Sequence, residues 1–201
     1  MKIIGIAGGS GSGKTTLARH LVDKYPDTID MISLDKYKKV SENTANLPKV
    51  KGIIDWDHPD TNDWDKLLSD IETLQGGTPV TIEIWTLGDD PQNPQYKIVK
   101  SRTIYPRGIL IIEGYLALWH KDLRKLYSRS YFLQIDQEAR LQRRDRVVEA
   151  GYDKEIHIPM HNEYVEPTKK FADVLLDVSS LSEDEVFEKA VQDLKKSHLL
   201  K

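Results

Sequence analysis

Three features of the sequence predict an α/β fold with a parallel sheet held between helices. Short strand-like apolar runs alternate with helix-period segments along the chain. One of those runs, Ile109-Leu110-Ile111-Ile112, is apolar without a break, as a strand covered on both faces must be. The first strand-to-helix turn, Gly8-Gly9-Ser10-Gly11-Ser12-Gly13-Lys14-Thr15, fits the phosphate-binding pattern G-x-x-x-x-G-K-[ST]. The expected class is therefore a P-loop NTPase-type parallel sheet flanked by helices. A small β-hairpin insertion at about 80–105 and a short helical lid at about 137–160 complete a single expected domain over 1–201.

The turn has the context its chemistry requires. Ile3, Ile4, Ile6 and Ala7 read as a buried strand before it, and Thr16, Leu17, Ala18, His20, Leu21 and Val22 follow at helical spacing. Glycines let backbone N–H groups approach phosphate oxygens without a Cβ in the way, and the helix N-terminus adds partial positive charge. Gly8 to Thr16 are the candidate nucleotide-binding residues, with Lys14 reaching the β- and γ-phosphates and the Thr15 hydroxyl holding Mg²⁺.

Composition narrows the class. A net charge of −3 gives no electrostatic case for nucleic acid, and the absence of cysteine excludes disulfides and thiolate metal sites. No apolar run approaches the roughly 20 residues of a membrane span, and strand one starts at Lys2, so neither membrane nor signal peptide is expected. A cytoplasmic enzyme is the expectation, and a homo-oligomer is left open.

In chain order, strand one is Lys2 to Ala7 and the first helix runs from Lys14 to Lys24, broken by Tyr25-Pro26-Asp27. Ile29 to Leu34 forms a short strand ending at Asp35. Lys36 to Asn62 is polar and reads as a long loop with at most a helical turn. Trp64, Leu67, Leu68, Ile71 and Leu74 mark a helix stopped by Gly76-Gly77. Val80, Ile82 and Ile84 alternate with polar residues, and a returning strand with Tyr96, Ile98 and Ile104 closes the hairpin. The apolar strand ends in Glu113-Gly114. A helix near Lys121 to Tyr127 and a strand from Tyr131 to Ile135 follow, then a basic helix from Asp136 through Arg146. Gly151 to Pro159 reads as a polar link, and Met160 to Phe171 as helical until Pro167 interrupts. A strand from Val174 to Val178 precedes a final helix capped by Ser182.

Ligands of such sheets sit outside the carboxyl ends of the strands, where Asp35, Glu113 and Asp136 fall. Glu113 is placed to hold Mg²⁺ directly or through water; an acid capping a helix is the alternative. Asp35 is placed to take the proton of an attacking hydroxyl; a turn-forming Asp is the alternative. Arg140, Arg143, Arg144 and Arg146 crowd one helix, either closing over phosphate or forming an exposed basic face. His58, His157 and His161 lack metal-ligand spacing and read as loop or surface residues.

Seven segments together resemble the uridine kinase and phosphoribulokinase family, most closely uridine-cytidine kinases. They are GGSGSGKTT from Gly8, SLDKYK from Ser33, IDWDHPDTNDWD from Ile54, PQYKIVKSR from Pro94, IIEGYL from Ile111, ARLQRR from Ala139 and VEPTKKFAD from Val165. They follow the family's order, and the DHPD and EPTKKFAD segments are far more specific than the P-loop. The resemblance implies transfer of the γ-phosphate of ATP, with Mg²⁺, to a nucleoside 5′-hydroxyl. It implies Asp35 as the catalytic acid, Lys14 and Arg143 as its partners in catalysis, and Tyr37 as a substrate-side aromatic. Asp57 would bind ribose hydroxyls, Tyr96 would lie near the base, and Arg102 and Arg140 would meet substrate or phosphate. Two departures stand out. Lys100 falls where pyrimidine-specific members carry a base-reading histidine, and the lid between Arg144 and Met160 is short.

Two rival readings stay open. The same chemistry could serve another alcohol: a different nucleoside, a vitamin-like alcohol or a sugar phosphate. A nucleotide-dependent switch is the other, although the chain has no N-K-x-D and no D-x-x-G after an apolar strand.

Overall fold

A computed structural model describes residues 1–39, 46–87, 96–142 and 153–201. At its centre lies β1 (Lys2–Gly8), flanked by β7 (Ile109–Glu113) and β8 (Arg129–Gln134), with β2 (Ile29–Ser33) and β9 (Val174–Asp177) outermost. All four pairings are parallel, and the registers Ile6↔Glu113, Ser33↔Glu113 and Gly8↔Leu133 line up the carboxyl ends of four strands.

The unbroken apolar run of β7 has a direct structural cause. Leu110 and Ile112 enter one core, with α2 (Trp64–Gln75) and the hairpin residues Val80, Ile82 and Ile104. Ile109 and Ile111 enter the other, with α1 (Lys14–Lys24) and α6 (Glu183–Lys196). Side chains alternate across a strand, so a strand buried on both faces has no position left for polar residues. The hairpin is β5 (Val80–Leu87) antiparallel to β6 (Tyr96–Ile104), as its alternation predicts. It is tied to the sheet edge by buried Asp30 of β2, which accepts from Arg102 Nη2 at 2.6 Å and from the Tyr105 amide at 3.0 Å. Ser182 and Glu185 form the reciprocal capping box of α6.

Some expectations are corrected. The strand before Asp35 stops at Ser33, and Leu34–Tyr37 winds into a 3₁₀ turn. The long loop contains a tight hairpin, β3 (Lys49–Val50) and β4 (Ile53–Ile54), turned by Lys51 and Gly52 at φ of 50° and 85°, and a 3₁₀ turn at Pro59–Thr61. The expected polar link is helical from Asp153 onward. A π turn (Asp153–His157) leads into α5 (Ile158–Met160), a second π turn (His161–Val165) and a 3₁₀ turn (Glu166–Phe171). His157, His161 and Val165 recur every fourth residue and are all buried, which keeps one face of this segment inward. Pro167 does not end the helical path; it stands in the first turn of the tighter 3₁₀ winding, where its missing N–H costs nothing. α3 (Lys121–Leu126) and α4 (Gln137–Gln142) complete the described helices, and among the described residues no helix is long and apolar enough to cross a membrane.

Candidate active site

The P-loop glycines take conformations that other residues resist. Gly11 and Gly13 sit at φ of 84° and 89°, and Gly8 at 145°, where a Cβ would stand 2.5 Å from the Leu133 carbonyl. Gly13 offers no side-chain cap to the first amides of α1, so they stay turned toward the loop. Ser12 Oγ is buried and has no hydrogen-bond partner among the described residues. Lys14 is 8% exposed and its Nζ donates to the Gly9 carbonyl at 2.8 Å.

The neighbouring strand ends supply the carboxylates. Thr15 Oγ1 donates to Glu113 Oε2 at 3.2 Å, and the Ser33 side chain also hydrogen-bonds Glu113. Glu113 is 2% exposed; burial pushes its carboxyl above the ordinary range, with Lys14, Ser33 and Thr15 opposing. Asp35 is exposed on the Leu34–Tyr37 turn, which lies directly against Gly114. Asp35, Thr15, Ser33, Lys36 and Arg102 line one cleft of about 450 Å³. On the other side of the loop, Gly11 to Gly13 and Thr16 line a second of about 530 Å³ with Val178, Leu181 and Ser182.

Asp57 lies on the loop before α2. Asp55 Oδ1 accepts from the amides of Asp57 and His58 at 3.0 and 3.1 Å, which shapes that turn. Asp57 Oδ2 accepts from His157 Nδ1 at 2.8 Å. Half-buried Lys38 donates to the Trp56 carbonyl at 2.6 Å and to Thr61 Oγ1 at 3.0 Å; burial lowers its pKa while Asp35, Asp57 and Asp55 raise it. Lys38 thereby joins the Asp35 turn to the Asp57 loop.

The structure thus brings Lys14, Thr15, Glu113 and Asp35 to one end of the sheet, with Asp57 linked to them through Lys38. It does not bring Tyr37 there. Tyr37 is 2% exposed in the core and its hydroxyl donates to Asp70 at 2.8 Å, because the 3₁₀ turn points it inward toward α2. Arg102 reaches the cleft wall but its guanidinium is engaged by Asp30. Arg143 lies outside the described residues, as do the side chains of Tyr96 and Arg140. His157 and His161, read as loop or surface residues, are buried at 1% and 8%. Sequence reasoning missed Lys38, Tyr115 and His157. Lys38 sits inside the SLDKYK segment and Tyr115 inside IIEGYL, whereas His157 stands 100 residues from its partner with no spacing signal.

The model of the "Phosphoribulokinase / Uridine kinase family" matches residues 3–184. A uridine kinase of Chlamydia pneumoniae is 32% identical over 188 residues, covering 88% of this chain and 81% of that protein. One of Lactobacillus johnsonii is 33% identical over 188 residues, covering 87% and 85%. In three dimensions the fold resembles a structure described as a possible uridine kinase from Bacillus stearothermophilus, with a TM-score of 0.58 at 20% identity over 88% of each chain. It also resembles shikimate kinase from Acinetobacter baumannii, with a TM-score of 0.54 at 15% identity over 100% of this chain and 96% of that one. The family match takes in the P-loop, the Asp57 loop and the 153–171 segment together, and the chain belongs to the phosphoribulokinase / uridine kinase family.

Proposed function

We propose that the chain, a phosphotransferase with an alcohol group as acceptor, transfers the γ-phosphate of ATP to the 5′-hydroxyl of a ribonucleoside, uridine or cytidine. The observation that carries this reading is exposed Asp35 beside the Thr15–Glu113 pair, at the mouth of a cleft it lines with Thr15 and Ser33. A carboxylate there takes the proton of an attacking hydroxyl while Lys14 and the loop amides hold the phosphates it attacks. The glycine cradle and the buried, unpartnered Ser12 Oγ fit a phosphate-bearing ligand. Thr15 and Glu113 fit Mg²⁺: both are hard oxygen donors, and a carboxylate left in burial with a raised pKa gains from a divalent cation. When bound, Mg²⁺ supplies charge neutralisation on the phosphate oxygens.

On the acceptor side, the Asp57 carboxylate suits the two ribose hydroxyls. Lys100 lies exposed on β6 opposite Ile84, so it is not a buried base reader in the manner of a histidine. We therefore expect uridine and cytidine to be used with a weaker preference over other ribonucleosides than pyrimidine-specific enzymes show. The same Lys100 departure, in a family that also embraces phosphoribulokinase, favours another alcohol as the second reading.

The test is kcat/KM for uridine, cytidine, adenosine, guanosine and 2′-deoxyuridine with Mg-ATP, in the parent and in Asp35→Asn. The variant should bind ATP and lose about 10²–10⁴ in turnover, the worth of a positioned general base. Turnover within a few-fold of the parent would make Asp35 a turn residue. Phosphorylation of another alcohol with none of any ribonucleoside would overturn the acceptor assignment.

A further inference from the structure

The helical segment from Asp153 to Phe171 is fastened to the Asp57 loop at three points. Lys51 Nζ meets Glu155 Oε1 at 2.6 Å on the surface. The Tyr164 hydroxyl lies 3.3 Å from His58 Nε2, and the two rings meet edge to face at 5.2 Å. Between these, His157 Nδ1 donates to Asp57 Oδ2 at 2.8 Å. His157 is 1% exposed, whereas the Asp57 side chain keeps 23% of its surface open. The histidine is therefore fully packed and the carboxylate is only partly exposed.

His157 is itself held. Tyr115, two residues beyond Glu113 on the same strand-end turn, lays its ring 5.5 Å from the His157 ring, and its hydroxyl donates to the His157 carbonyl at 3.4 Å. The Asp57 amide is held from below by Asp55. A carboxylate has two rotatable bonds between its oxygens and the backbone. With the backbone anchored by Asp55 and one oxygen anchored by His157, the other oxygen has a set direction. Burying the histidine to orient a partly exposed carboxylate is the arrangement by which a supporting group presets a ligand-facing one.

We infer that His157 is a positioning and specificity-determining residue of the acceptor site: its Nδ1–H fixes Asp57 Oδ2, so that the remaining carboxylate surface meets an acceptor diol in one orientation. The inference rests on the acceptor role proposed for Asp57. His157 acts through Asp57 and touches neither phosphate nor the attacking hydroxyl. Loss of its N–H leaves a carboxylate that must be ordered by the acceptor itself, which weakens acceptor binding and blurs the choice between a diol and a single hydroxyl.

The test uses His157→Phe, which keeps a ring against Tyr115 without a donor, and His157→Asn, whose amide nitrogen occupies the place of Nδ1 and can donate. Both are compared with the parent and with Asp57→Ala, using whichever acceptor the parent phosphorylates best. For His157→Phe we expect KM for the acceptor to rise about tenfold, KM for ATP to stay within twofold, and kcat to change less than threefold. The preference for the ribo- over the 2′-deoxy-acceptor should shrink by a similar factor, and His157→Asn should restore most of both. A thermal melt separates this from misfolding. If His157→Phe does not fold, the acceptor KM of His157→Asn against that of His157→Ala carries the same comparison. An acceptor KM and ribo/deoxy ratio unmoved by loss of the donor would overturn the positioning role. So would an equal rise in the KM values of acceptor and ATP. If Asp57→Ala leaves the acceptor KM unchanged while His157→Phe raises it, the role of Asp57 fails and the orienting path through it fails too. A parent that uses no nucleoside overturns the nucleoside reading alone, since the KM split is then read on the alcohol it does use.

Discussion

Glu113 is where charge and burial conflict most plainly at the level of a single side chain. Burial raises its pKa, and Lys14, Ser33 and Thr15 recover only part of the cost. The folded chain therefore holds a proton at this carboxyl more tightly than the unfolded chain does. For a raised acid the sign is definite: the associated stability is present below the unfolded pKa and is lost as pH rises through the folded one. Glu113→Gln keeps the shape and removes the charge. The melting temperature of the metal-free variant should exceed that of the parent at pH 7.5, and the two should converge as the pH falls into the range where Glu113 is protonated. The Mg²⁺ concentration for half-maximal rate should meanwhile rise about 10–100-fold, the usual cost of losing a metal-supporting group. Paired melts across pH and a Mg²⁺ titration of the rate read both effects, and an unmoved Mg²⁺ requirement would remove Glu113 from the metal site.

At the level of elements, the Asp35 turn depends on a missing side chain next door. A Cβ on Gly114 would stand 2.7–2.9 Å from Leu34, which is itself 2% exposed and has nowhere to retreat. Gly114→Ala should cost about 1–3 kcal/mol by overpacking, or roughly 2–4 °C of melting temperature per kcal/mol in a domain of this size. It should also depress turnover more than ATP affinity, because the displaced turn carries Asp35 while the P-loop is left alone. Melting curves and ATP titrations of the variant check this, and a turnover equal to the parent's would mean that the turn adjusts freely. The same element shows where sequence reading stops. β1, β7 and the hairpin were legible because burial on two faces, or on one, writes itself as unbroken or alternating apolar residues. The inward face of Tyr37 was not, because a 3₁₀ turn of four residues leaves no periodicity to read. Nor was the helical path after Asp153, whose buried face mixes Ile156 and Val165 with His157, His161 and Thr168, which look polar in a sequence.

Across the whole molecule, the candidate nucleotide half of the site is local in sequence and the proposed acceptor half is not. Gly8 to Thr15 is one continuous stretch, so its chemistry could be read directly, and Glu113 and Asp35 betray themselves as acids at the ends of apolar strands. Asp57 and His157 meet only because the fold brings together a loop and a helical segment 100 residues apart, a proximity that no spacing rule encodes. The sheet's own edges are treated differently. Asp30 draws the hairpin against β2 through Arg102 and Tyr105, shielding that edge, whereas β9 leaves Leu175 at the surface with Asp177 nearby as a charged interruption.

The central position of β1 has a consequence for synthesis. Its partners begin at Ile109 and Arg129, so on a translating ribosome Ile3, Ile4 and Ile6 emerge before either neighbour exists. At about 5–20 residues per second the wait is on the order of 5–20 s, long enough for an unpaired apolar strand to find the wrong company. Nascent chains stalled before β7 has emerged should therefore be cleaved readily by added protease within β1. Chains stalled after β8 has cleared the tunnel should resist, and early resistance would mean that α1 alone protects the strand.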